Sequence, residues 1–232
     1  MSKSTKKSMD IETLTVKEPL GSRVYREIKR ALLDGQFAPG ELLPEDSLTD
    51  ATGASRTPVR EALMRLQGEG LVKIIPRKGA RVSAMDKAEL RELVETRALL
   101  ETAFLERAME KIPVASIEEI RRNMGAIISE METMDPDSSA WARQRLEYSK
   151  LDFKFHRMLV KAVDNRFLLK YYDEVLERVI LYSHHTIIKF PSAFMQSAKE
   201  HEEILSAIID SDISKAKKLI ISHLDNLNIR LR

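Results

Sequence analysis

Asp152 and His156 stand four residues apart, so on a helix both leave the same face. That face continues through Leu159 and Val163. His201 falls on an apolar stripe with Phe194, Ala198, Leu205 and Ile208. His223 falls on another with Ala216, Leu219, Ile220 and Leu227. The turn between these two stripes centres near Ser211-Asp212. In an antiparallel hairpin both imidazoles then sit at nearly one height, each on the order of 15 Å from the turn at ~1.5 Å per residue. One carboxylate and three imidazoles facing one cavity suit a divalent metal, zinc foremost, with nickel or manganese as alternatives. Four protein ligands leave an octahedral ion open positions for water or a small carboxylate. The competing reading is that each histidine is a separately satisfied core or interface residue.

A second group could recognise an anion. Arg97 recurs on the stripe Leu90, Leu93, Val94, Phe104, which should otherwise be apolar. An arginine there needs an anionic partner. That partner is either the carboxylate of a bound effector or an internal acid, Glu101 or Asp152. Arg178 and Tyr182 are further candidates for the cavity wall. His184-His185 reads as surface or pocket wall, and Trp141 and the methionines as core.

A third group suits nucleic acid. Ser55-Arg56-Thr57-Pro58-Val59-Arg60 opens a helix with two cations four residues apart on one side and Leu63 and Leu66 on the other. Both the helix dipole and the guanidinium groups attract phosphate oxygens and guanine edges. The alternative is a solvated surface helix.

The elements that position these groups follow from periodicity. Helical spacing runs from Ser22 to Asp34, Gly35 ends that helix and Pro39-Gly40 turns the chain. Leu42 and Leu43 enter the core. Glu45–Ala51 is a short helix, Gly53 turns, and Ser55 is placed to cap a third helix over Arg56–Gln67. Leu71–Ile75 and Ala80–Ser83 read as strands joined by a hairpin tip, Pro76–Gly79, which carries Arg77 and Lys78, with Arg81 just beyond. Three helices and a basic hairpin make a winged helix-turn-helix, with its third helix in the major groove and its wing on the backbone or adjacent minor groove.

Beyond residue 84 no strand pattern appears. Approximate helices are 87–110, 116–133, 138–162, 166–189, 193–210 and 213–231, with Asp86, Ser116, Ser138 and Ser192 near their starts and Pro113, Pro136 and Pro191 at breaks. The expectation is a mainly α protein of three parts. Residues 1–18 form a flexible arm, 19–84 the winged helix-turn-helix, and 85–232 an antiparallel helical bundle.

Composition agrees. The 232 residues are 43% hydrophobic and 32% charged, as in a soluble globular protein. Residues 1–85 hold 15 Lys and Arg against 11 Asp and Glu, whereas the remainder holds 23 against 25, so the small first part is basic and the larger part slightly acidic. No run of eighteen apolar residues predicts a membrane span, and no secretory leader is expected. The absence of cysteine excludes disulfides and thiolate-ligated zinc, and fits a cytoplasmic setting.

Residues 20–84 resemble the DNA-binding domain of the GntR family of bacterial transcription regulators. The resemblance rests on Val24-Tyr25, Ile28, Gly35, Pro39-Gly40, Glu45, Leu48, Ser55 to Leu63, Leu66, Glu69-Gly70-Leu71-Val72, Gly79 and Val82. It implies that Arg56 and Arg60 contact operator bases and phosphates with Thr57 in support, and that Gly79 lets the wing approach the minor groove. Some members carry a DNA-contacting arginine where this chain has Asp46, and that role is not carried over.

Residues 86–232 resemble the ligand-binding domain of the FadR-type branch, the FCD domain. The residues concerned are Asp152-Phe-Lys-Phe-His156, Asn165, Glu200-His201-Glu-Glu-Ile-Leu205 and His223-Leu224. Many members hold a metal on this Asp and these three His, with an organic acid effector beside it. The acyl-CoA-binding founder lacks that arrangement.

The resulting expectation is a metabolite-responsive regulator, a repressor by family habit. It would be a homodimer on an inverted-repeat operator, sensing a small carboxylate at a metal. The alternatives are a DNA-tethered metalloenzyme acting on small organic acids and an architectural DNA-binding protein with a structural metal.

Overall fold

The computed structural model describes residues 18–186 and 190–230, the side chains of 184–186 and 227–230 excepted. Nearly all of the expected flexible arm, and the side chains of His184, His185 and Leu227, lie outside the described residues.

The winged domain contains α1 (Leu20–Leu33), β1 (Leu42–Leu43), α2 (Glu45–Thr52), α3 (Arg56–Gly68), β2 (Val72–Ile75) and β3 (Gly79–Val82). Its core is built from one face of each helix. Val24, Ile28 and Leu32 of α1 meet Leu48 of α2 and Val59, Ala62, Leu63 and Leu66 of α3, with Val72, Ala80 and Val82 closing from the sheet. Each such side chain contributes about 1.5–3 kcal/mol by leaving water. The sheet is antiparallel in the order β1-β3-β2, with Val72 opposite Val82 and Leu42 opposite Arg81.

The strand β1 was not foreseen. Its two residues are too short for an alternation to register, and only Leu43 enters the core while Leu42 is exposed. Ser55 does occupy the N-cap of α3, but its hydroxyl makes no capping bond.

Gly79 owes its identity to this small sheet. Its φ is +110°, and a Cβ there would lie 2.1 Å from the Leu43 carbonyl oxygen and 2.9 Å from the Glu45 amide nitrogen. The glycine is required by the approach of β1 and the start of α2, whatever the wing does on DNA.

The helical domain contains α4 (Lys87–Thr102), α5 (Leu105–Lys111), α6 (Val114–Met131), α7 (Ser139–Lys161), α8 (Arg166–Thr186), α9 (Pro191–Ile209) and α10 (Ile213–Arg230). Asp86 caps α4 by accepting from the amides of Ala88 and Glu89, and Ser138 caps α7 by accepting from Trp141.

Three expected boundaries move. The single helix over 87–110 is broken at Ala103-Phe104, with no Pro or Gly to mark it. The backbone leaves the helical region at Phe104, with φ −119° and ψ 17°, and Thr102 Oγ1 donates to the Ala98 carbonyl in the last turn of α4. Helix α6 starts beside Pro113 rather than at Ser116. Helix α9 starts with Pro191 as its first residue rather than after Ser192, a position suited to a residue that lacks an amide hydrogen. Helices α4, α7, α9 and α10 surround one core that includes Phe155, Leu159, Leu205, Ile208 and Ile220. No helix among the described residues is long and apolar enough to cross a membrane.

Helix α8 joins the two halves. Its Leu181 is part of the winged-domain core, and Leu33 of α1 packs against Tyr172, Leu176 and Ile180 of α8. Lys29 donates to Glu177 at 2.7 Å and to Glu69 at 3.0 Å, and Tyr25 donates to Glu69 at 2.6 Å.

Replacing Gly79 by Ala is expected to cost about 2–5 kcal/mol, from positive-φ strain plus overpacking. Gly40→Ala is the control, because its φ is +83° but nothing lies within 4 Å of the added Cβ. Chemical denaturation should separate the two variants, and equal costs would refute the steric explanation.

Candidate metal centre and its cavity

Helix α7 brings Asp152 and His156 to one face, α9 supplies His201 and α10 supplies His223. The three imidazoles are buried, and one nitrogen of each lies within 4.8 Å of the others. His156 Nε2 is 3.2 Å from His201 Nε2, and Asp152 Oδ1 is 3.0 Å from His201 Nε2 and 3.3 Å from His156 Nε2. The four residues selected by spacing therefore do converge.

What surrounds them fixes the chemistry of the converging atoms. His156 Nδ1 lies 2.5 Å from Glu101 Oε2 and His223 Nδ1 lies 2.8 Å from Glu200 Oε2. An ionised carboxylate only accepts, so each Nδ1 carries a proton, and in the neutral ring Nε2 is the lone pair that a metal would take. His201 Nδ1 meets the Tyr148 hydroxyl at 3.2 Å. The Nε2 atoms of His156 and His201 and a buried carboxylate oxygen of Asp152 thus meet at about 3 Å, and the His201 proton sits on Nδ1 or on Nε2 according to whether the Tyr148 hydroxyl accepts or donates. Such a cluster needs positive charge among its members, supplied by protons on the Nε2 atoms or by a metal ion that displaces them. Two donors ~2.1 Å from one ion and about a right angle apart are themselves ~3 Å apart, which matches this spacing. The residues fit a divalent ion.

In the protein by itself the same need for positive charge shows in the ionisation of the cluster's members. Burial opposes charge on Asp152, yet the adjacent His201 and His156 hold its carboxyl well below the usual range, so it stays anionic. Burial, reinforced by His201, pushes His223 down to about 3, so it stays neutral. Burial also works against a charged His156, but Glu101 outweighs it and raises the imidazole's pKa. A carboxylate behind a ligating imidazole has that effect and makes its outer nitrogen a better donor.

Glu101 is the hub of this outer layer. It is fully buried and accepts from Arg97 Nε at 2.6 Å, from the Tyr172 hydroxyl at 2.7 Å and from His156. Burial alone would raise its pKa, but His156 and Arg97 bring it to about 2. Arg97 therefore forms the internal ion pair that was one of its two expected readings. Its Nη2 nevertheless remains without a partner and borders a cavity of about 50 Å3 lined by Arg145, Tyr148, Ser149, Asp152 and His223.

Arg178 does not line this cavity. It pairs with Glu89 and lies against Gly70, at the junction with the winged domain. One helical face cannot reach both places, and α8 turns that position toward α1–α3. Tyr182 packs half-buried against the bundle core and is also outside the cavity wall.

Glu200 and Tyr148 were not recognised as histidine partners, nor Arg145 as a wall residue. The signal was present for two of them. Arg145 and Tyr148 precede Asp152 by seven and four residues on the face that carries it.

On the winged domain, Ser55, Arg56, Thr57 and Arg60 are exposed at the start of α3, and Arg77 and Lys78 are exposed at the wing tip. Arg56 donates twice to Asp46 Oδ1, at 3.0 and 3.2 Å, and Arg60 to Glu45 at 2.9 and 3.0 Å. Asp46 is thus an arginine partner rather than a cationic DNA contact.

Glu101→Ala leaves Arg97 and His156 buried without their shared anion and should cost about 3–5 kcal/mol in denaturant unfolding. A loss below about 1 kcal/mol would show that Glu101 is not the hub described.

Comparison with known proteins accords with both halves. Residues 20–82 match the family model described as bacterial regulatory proteins, gntR family, and residues 92–226 match that of the FCD domain. The HTH-type transcriptional repressor RspR of Escherichia coli is 24% identical over 227 residues, covering 97% of this chain and 94% of that protein. A transcriptional regulator of the GntR type from Rhodococcus has the same fold, with a TM-score of 0.74 at 19% identity, covering 91% of this chain and 96% of its own. The metal-free FCD domain of TM0439 superposes with a TM-score of 0.51 at 24% identity over 64% of this chain and 95% of its own. The chain belongs to the GntR family of bacterial transcriptional regulators and carries an FCD domain.

Proposed function

We propose that this regulator is a repressor whose helical domain holds a divalent metal, zinc foremost, on Asp152, His156, His201 and His223, and responds to a small organic acid bound beside it. The observation that carries this reading is the convergence of three buried imidazoles on a buried carboxylate, with inner atoms about 3 Å apart. A bound ion supplies a positive centre for an acid's oxygens, and the free Arg97 Nη2 at the cavity wall supplies a directional donor. The repressor direction is supported by the relative RspR.

The DNA reading places α3 in the major groove, with Arg56 and Arg60 on base edges and phosphates, Ser55 and Thr57 on the backbone, and Arg77 and Lys78 of the wing alongside. A homodimer would set two such helices on the halves of an inverted repeat. On binding, Arg56 and Arg60 exchange Asp46 and Glu45 for DNA acceptors. Exposed ion pairs are weak enough to permit that exchange. The effector acts by binding the two arrangements of the winged domains unequally. The contacts available to transmit this are those of α8, with Tyr172 on Glu101 at one end and Glu177 on Lys29 at the other.

Elemental analysis of purified protein should find about one transition metal per chain in the wild type and none in His223→Ala. Two metal-free proteins after remetallation would remove the metal from this reading while leaving the family assignment intact. Selection of operators from random DNA, followed by titration, should show Arg56→Ala binding its operator about ten- to a hundredfold more weakly, with relaxed preference at one position. Equal weakening on every sequence would reduce Arg56 to a phosphate contact.

A further inference from the structure

Arg145 is a buried cation with nothing to hold. It is 9% exposed, its Nε has no hydrogen-bond partner, and among the described residues no carboxylate pairs with it. Burial accordingly pulls its guanidinium below the usual arginine range, with no anion to offset the effect. A cation withdrawn from water without a counter-charge is costly, and a fold retains one where a ligand completes it.

Its position says what kind of ligand. Arg145, Ser149 and Asp152 lie at successive turns on one face of α7, and all three border the cavity that also reaches Arg97 and His223. Seven residues separate Arg145 from Asp152, about 10 Å along the helix at ~1.5 Å per residue. The cavity therefore has two ends that attract anions. One is the metal-ligand end with Arg97, whose Nη2 also lacks an acceptor, and the other is Arg145. Ser149 and Ser197 also line the cavity. A single carboxylate at the first end leaves Arg145 unpaired. A cavity of about 50 Å3, with one water centre per ~10–15 Å3, limits the ligand to a few carbons.

We infer that the effector is a short-chain dicarboxylate, with one carboxylate taken at the metal-ligand end by Arg97 and the other by Arg145. This rests on the proposed acid-sensing role of the site. Arg145 is then what separates a diacid from a monoacid of the same length, because removing the second carboxylate strands a buried charge.

The test is calorimetric titration of the metal-loaded full chain with succinate, glutarate and their monoacid counterparts butyrate and valerate. The same titrations are run on Arg145→Met and Arg145→Gln. Wild type should bind one of the diacids about a hundredfold more tightly than its monoacid. Either variant should bring that diacid down to the monoacid's affinity while leaving monoacid binding, metal content and ligand-free melting midpoint unreduced. Equal wild-type affinity for diacid and monoacid overturns the dicarboxylate inference and leaves acid sensing standing. Equal weakening of both acids in the variants overturns the role of Arg145. Failure of every acid to bind the metal-loaded protein overturns this inference together with acid sensing.

Discussion

A single buried carboxylate, Glu101, sets the geometry of the helical domain. It lies on α4, yet it accepts from His156 of α7 and Tyr172 of α8 as well as from Arg97 one turn earlier on its own helix. Three donors from three helices satisfy one anion, which is what allows it to be buried at all. Removing any one of these contacts leaves a charge or a polar atom inside a core that cannot hydrate it. The rotation of α4, the tautomer of His156 and the position of α8 are therefore set together. The same arrangement repeats more lightly around the other imidazoles, through Glu200 with His223 and Tyr148 with His201. The inner nitrogens are thereby held facing one another.

That arrangement also explains how a site deep in one domain can bear on another. Helix α8 carries Tyr172 at the Glu101 end, and further along the same rod it carries Leu181, which is part of the winged-domain core, and Glu177, which holds Lys29. Helix α4 leaves β3 after four residues, capped by Asp86, and its Glu89 pairs with Arg178 of α8. Both connections between the domains thus run through helices whose inner faces contact the Glu101 cluster. A helix moves as a unit, because its backbone hydrogen bonds resist local bending. Under the proposed effector response, α4 and α8 are the elements that link the inner cluster to the winged domain.

The DNA-facing end shows the opposite economy. Its arginines are exposed and held by two acids on α2, the exposed Asp46 and the half-buried Glu45. Such pairs limit the freedom of two long side chains without binding them tightly. The buried cluster is rigid and the surface pairs are exchangeable, and the difference is one of dielectric rather than residue type.

Much of this was legible in the sequence, because periodicity and local chemistry are properties of neighbouring residues. The i, i+4 placement of Asp152 and His156, the stripes carrying His201 and His223, the paired arginines at the start of α3 and the glycine of the wing are all local patterns, and each of the four candidate ligands reached the common centre. Local pattern could not decide which partner satisfies which polar group. Arg97 offered two readings, and only the packing of α4 against α7 and α8 showed its Nε committed to Glu101 while its Nη2 stays free. Arg178 shared helix α8 with true neighbours of the site, but the rotation of that helix turned it toward Gly70 and Glu89. The break between α4 and α5 carried no proline or glycine to announce it, and β1 was too short to have a period. Sequence by itself determined the family, the helices and the ligand types, because these follow from residue identity and spacing along one chain. Tertiary structure alone decided which charges are paired and which are left facing a cavity, because a buried charge is satisfied or stranded by groups dozens of residues away.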